Sequence, residues 1–164
     1  MKKLFVALLV LMLFSTLITS AYAHCQIPCG IYGDQTRFTM LREHITTIEK
    51  CMQQITELSK DTAKNINQLV RWINNKDQHA DEFTEIVTYY FLTQRIKIAD
   101  KDNTKEFTDY QNKITVLHQM MVYSMKCKQT TDLENVKKMT TLVDQFEDMY
   151  FSEADKIHLK EHQK

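Results

Sequence analysis

His24, Cys25 and Cys29 place one imidazole and two thiols within six residues, in the string His24-Cys25-Gln26-Ile27-Pro28-Cys29-Gly30-Ile31-Tyr32. If the working chain begins at His24, its free α-amine, with an ordinary pKa of about 8, adds a fourth donor. The amine, the Cys25 backbone nitrogen and the Cys25 thiolate can then close two fused five-membered chelate rings on one metal ion. Cys29 can supply a second thiolate if the chain folds back, and Pro28 and Gly30 are residue types that favour such a turn. The His24 imidazole remains as an axial donor. Two nitrogens and two sulfurs in a plane suit a d⁸ ion such as Ni(II), or Cu(II) by geometry alone. Thiolates reduce Cu(II), which favours nickel. The alternative chemistry is a Cys25–Cys29 disulfide, an ordinary fate for two nearby cysteines in an exported chain.

The residues before His24 supply the means of exposing that amine. Lys2 and Lys3 precede an apolar run from Leu4 to Leu13, a more polar stretch, and Ala21-Tyr22-Ala23. Small residues flanking a bulky one form the pattern read by a signal peptidase. The run is short for a membrane span of about 20 residues, and no twin arginine is present. The expectation is a signal peptide at 1–23 removed by signal peptidase, leaving 141 residues and a periplasmic or extracellular protein. Loss of Lys2 and Lys3 leaves 19 basic against 21 acidic side chains. That balance argues against a nucleic-acid partner or an anionic membrane surface.

The elements that must position the site are helical. Gly33 is the last Gly or Pro in the chain. Phe38, Leu41, Ile45, Ile48, Met52 and Ile55 step by three and four and predict a helix over 36–58. Ser59-Lys60-Asp61 breaks the stripe. Ile66, Leu69, Val70, Ile73, Ala80, Phe83, Val87 and Tyr90 predict one long helix over 62–97, with a lapse at Lys76-Asp77. Asn103 and Glu106 form a helix-start pattern. Phe107, Tyr110, Ile114, Leu117, Met121 and Ser124 extend that helix to Lys128. Thr131-Asp132-Leu133-Glu134 reads as a second capping box, followed by Val136, Met139, Val143, Phe146 and Tyr150, with fraying toward the charged tail. The fold class expected is all-α, an up-down-up-down four-helix bundle over 36–164, preceded by a hook at 24–35. His44, His79, His118, His158 and His162 show no His-x-x-x-His pair suggestive of a buried metal site, and the His158/His162 pair reads as solvated. Cys51 and Cys127 read as a buried thiol and a helix-end thiol, with a mutual disulfide as the alternative.

The complete string from His24 to Tyr32 resembles the nickel hook of the nickel superoxide dismutases, with every signature position filled. "RFTMLREHITTIEK" and "NQLVRW" are similar to the marine and cyanobacterial branch of that family. The resemblance implies a homohexamer of four-helix bundles with one nickel ion per subunit. His24, Cys25 and Cys29 would hold it, and the His24 imidazole would bind in the oxidised state. The substrate implied is superoxide, converted to O2 and H2O2 by Ni(II)/Ni(III) cycling. Tyr32 would sit beside the hook, ordering solvent and limiting access. A second gating tyrosine precedes a Phe near the end of the second helix in the family, and Tyr90-Phe91 matches it, with Tyr89 adjacent. Gln26 stands where some members have an acidic residue, and no counterpart of the Glu and Arg that orient the axial imidazole in some members is legible. Two other readings use the same residues: a secreted helical binding module with a Cys25–Cys29 disulfide, and a nickel- or copper-trafficking protein without turnover.

Overall fold

A chain that spends no Gly or Pro after residue 33 has few ways to leave a helix, and the structure follows. The computed structural model describes residues 31–161. Four long helices account for most of them: α1 (Ile31–Leu58), α2 (Thr62–Glu85), α3 (Thr104–Gln129) and α4 (Leu133–Tyr150), followed by the short α5 (Glu153–Glu161). No strand occurs among the described residues. α1 begins five residues before the start expected from its stripe, so the backbone of Tyr32 lies in its first turn. Ser59–Asp61 form a 3-10 turn, and the Asp61 carboxylate caps α2 by accepting from the Lys64 N–H.

The helix 62–97 expected from sequence is continuous as far as Arg95, but its last ten residues, Ile86–Arg95, are π-helical. The wider turn is visible in Ile96 N–H donating to Phe91 O at 3.0 Å, and in Thr93 Oγ1 and Gln94 Nε2 each donating to a carbonyl five residues back. α3 is capped by Asn103, as its sequence pattern predicts, with the side chain accepting from Glu106 N–H. α4 is capped by Asp132 rather than Thr131. Among the described residues the tail is helical as far as Glu161 rather than frayed: Ser152 and Asp155 cap α5 reciprocally, each accepting from the other's backbone N–H.

α1 packs on α2 and α4, and α3 on α2 and α4. Phe38, Leu41, Ile45, Ile48 and Met52 on α1 meet Phe83, Val87 and Phe91, with Leu117, Met120, Met139, Val143 and Phe146 closing the core. Burying side chains of this size stabilises by about 1.5–3 kcal/mol each. At one end Phe38, Phe91, Phe146, Tyr150 and Phe151 stack, with centroids 4.9–5.6 Å apart. Two expected stripes shift. Ile66, Val70 and Ile73 are exposed, leaving Leu69 as the buried member. On α3 the buried line is Val116, Leu117, Met120, Ser124 and Cys127, and nothing before Val116 is buried.

Candidate functional site

His24, Cys25, Pro28, Cys29 and Gly30 lie outside the described residues, as does the Tyr32 side chain. What is described begins with the first turns of α1, the segment that directly follows those residues in sequence. Asp34, two residues beyond Tyr32, is bonded to the far end of the second helix. Its Oδ1 accepts from Arg95 Nε at 2.8 Å and from the Tyr90 hydroxyl, while Arg95 Nη2 donates to the same hydroxyl at 2.8 Å. Asp34 and Arg95 are 13% and 15% exposed at their side chains.

The π-helical segment makes this arrangement. In an α-helix, residues five apart are turned by about 140° from one another. With i→i+5 bonding, five residues make roughly one turn, so Tyr90 and Arg95 share a face. The Arg95 guanidinium lies 4.7 Å from the Tyr90 ring centroid and Arg37 lies 5.2 Å from it. Tyr90 is 1% exposed, whereas Tyr89 is 61% exposed. Burial, and then the hydrogen bond to Asp34, raise the Tyr90 phenol above its ordinary pKa. Tyr150 is raised in the same direction by burial and by the Asp34 charge. Both rings therefore keep their protons in the physiological range. Two grooves of about 300 Å³ flank the cluster. One is lined by Arg37, Met40, Glu85 and Tyr90, the other by Asp34, Arg95, Lys113 and Tyr150.

Comparison with known proteins gives one decisive result. The profile of the nickel-containing superoxide dismutases matches residues 19–154, well over half of the chain and a range that contains the string from His24 to Tyr32. The chain belongs to the nickel-containing superoxide dismutase family. It is an oxidoreductase that acts on superoxide with nickel as its cofactor. No curated protein and no solved structure matches the chain significantly.

Within this dismutase, the structure places Tyr90 rather than Tyr89 against the start of α1. Sequence reasoning missed the residues that fix it. Nothing in the spacing of Asp34 and Arg95, 61 apart, announces a bond between them. It also missed that His44 on α1 and His79 on α2 meet, with Nδ1 atoms 2.9 Å apart. Burial, and then the neighbouring His79, lower the pKa of His44. The lapse at Lys76-Asp77 is no break: Lys76 is buried and donates to the carbonyls of Cys127 and Lys128 at 2.7 and 2.6 Å and to Asp77 at 2.8 Å. It thereby caps the C-terminus of α3, where a cation is favoured. Cys51 and Cys127 are both free and buried, which overturns the alternative of a mutual disulfide. Burial pushes the Cys127 thiol up to about 11.

Proposed function

We propose that the dismutase matures by cleavage after Ala23, and that the His24 amine and imidazole, the Cys25 amide nitrogen and the Cys25 and Cys29 thiolates would hold its nickel. The observation that carries this reading is the string His24-Cys25-x-x-Pro28-Cys29-Gly30-x-Tyr32 running directly into a helix whose third and fourth residues are Gly33 and Asp34, the latter bonded to Arg95 and Tyr90. The donor set fits the metal. Anionic thiolates and a deprotonated amide stabilise a higher oxidation state of an ion that prefers square-planar N/S ligands. Nickel supplies the one-electron reduction and oxidation when bound.

The rest belongs to the chain. Asp34 and Arg95 fix the base of the hook to the end of the second helix. Tyr90, its proton retained and donated to Asp34, helps to hold that base in place, and Tyr32 would order solvent on the hook side. Arg37, beside the Tyr90 ring, and the N-terminal end of α1 provide the local positive potential that attracts a superoxide anion. The chain-wide charge gives no such help.

The cyclic packing of α1 on α2, α2 on α3, α3 on α4 and α4 on α1 supports an up-down-up-down bundle. Exposed Ile66, Val70 and Ile73, three and four residues apart on α2, give an apolar strip of the kind that subunits of a homohexamer cover. The leader supports export to the periplasm or beyond. The test is intact-mass and N-terminal analysis of native enzyme with metal quantification. The reading requires a chain starting at His24, one nickel per chain and no Cys25–Cys29 disulfide in the active form.

A further inference from the structure

The histidine pair between α1 and α2 has a third member. Glu82 Oε2 lies 3.5 Å from His44 Nδ1 and 3.6 Å from His79 Nδ1, and the two nitrogens are 2.9 Å apart. His79 and Glu82, three residues apart on α2, share a helix face, and α1 brings His44 to it. We propose that His44, His79 and Glu82 form a second metal site, separate from the hook, that takes one divalent cation of the zinc class through two imidazole nitrogens and one carboxylate oxygen.

The distances carry the proposal. Ligand atoms placed tetrahedrally at about 2.0–2.1 Å from zinc stand about 3.3–3.4 Å from one another. The three observed separations bracket that value. The circle through the three atoms has a radius of about 1.9 Å, the same as that of one face of such a tetrahedron. One face is thus nearly laid out: the two Nδ1 atoms, now 2.9 Å apart, need to part by about 0.4 Å, and the fourth corner is left for water. Access exists, because the His79 and Glu82 side chains are 26% and 40% exposed while His44 is 11% exposed. Two imidazoles and a carboxylate are a borderline donor set that suits Zn(II) and its neighbours. An ion there ties α1 to α2. Binding through Nδ1 leaves the proton on Nε2, and His44 Nε2 is buried without an acceptor. Outer partners of this kind are worth roughly 10–100-fold in affinity, so the site binds more weakly than a fully supported one.

The test uses the chain His24–Lys164 with His24→Ala, Cys25→Ser and Cys29→Ser, which removes every side-chain donor of the hook. It is independent of whether the hook reading holds. Zn(II) is titrated by calorimetry, and Co(II) by visible absorption, where four-coordinate binding gives intense d–d bands. The expected result is one ion per chain, with a thermal midpoint that rises with zinc concentration. His79→Ala and Glu82→Gln, both partly exposed and compatible with folding, each weaken binding at least tenfold with the helical far-UV signal unchanged. His158→Ala with His162→Ala leaves binding intact. Absence of binding by the parent, unchanged affinity in either α2 variant, or loss of binding in the tail variant overturns the proposal.

Discussion

The bond between Asp34 and Arg95 is where fold and function meet, and a double-mutant cycle measures it. Asp34→Asn removes the charge but keeps the shape. Arg95 then loses an ionic partner at 2.8 Å in a setting where both side chains are less than one-sixth exposed. Two unit charges about 4 Å apart interact by roughly 4 kcal/mol at an effective dielectric constant near 20. Stripping one partner from a buried pair costs about 3–5 kcal/mol. Arg95 still donates to the Tyr90 hydroxyl at 2.8 Å, which places the loss at the lower end, about 3 kcal/mol. Arg95→Gln loses a comparable amount, and the two losses overlap, so the coupling energy is about 2 kcal/mol, within the range for groups in one network. The assay is urea unfolding of the nickel-free chain at fixed protein concentration, with nickel release from the loaded enzyme as a second readout. Release should quicken in Asp34→Asn, because the base of the hook is no longer fixed. A coupling below about 0.5 kcal/mol, with release unchanged, would refute the claim that this bond anchors the site.

Other expectations follow from single groups. Lys76→Met keeps the volume but removes three charged hydrogen bonds, and urea unfolding should show a loss of about 3 kcal/mol; an unchanged midpoint would mean water replaces the ammonium at no cost. Cys127 is neutral when folded, with its pKa raised from near 9 to about 11. Its contribution is therefore complete below pH 9 and lost as pH rises through 11. At pH 10.5 the nickel-free chain should be about 2 kcal/mol less stable than Cys127→Ala predicts from packing alone, and a pH-independent difference between the two would contradict this. Tyr32→Phe should retain nickel but alter turnover or peroxide sensitivity; complete loss of the metal would assign Tyr32 a structural role instead.

Much of the frame was legible in the sequence because its signals are local. The α1 stripe from Phe38 to Met52 is buried as its spacing predicts, and Asn103 caps α3 where its type and position indicate. Periodicity reports that a helix has an apolar face, however, not that the same chain covers it. That is why Ile66, Val70 and Ile73 are exposed despite fitting the pattern. Lys76 reads as a lapse because its partners, the carbonyls ending α3, lie 51 and 52 residues away and have no side-chain signature. The π-helical widening after Glu85 leaves hydrophobic spacing nearly intact yet changes which residue stands beside Tyr90. The proposed hook lies outside the described residues; its candidate donors fall within six residues of one another, so the proposal could be drawn from the string alone.

The most direct test of the central claim is to insert one Ala between Ala23 and His24, so that the mature chain begins with Ala and the His24 nitrogen becomes an amide. Nickel per chain and dismutation rate are measured beside far-UV ellipticity. The account predicts loss of nickel and of activity with the helical signal intact. Full nickel content and normal turnover in that variant would show that the His24 amine is not a ligand.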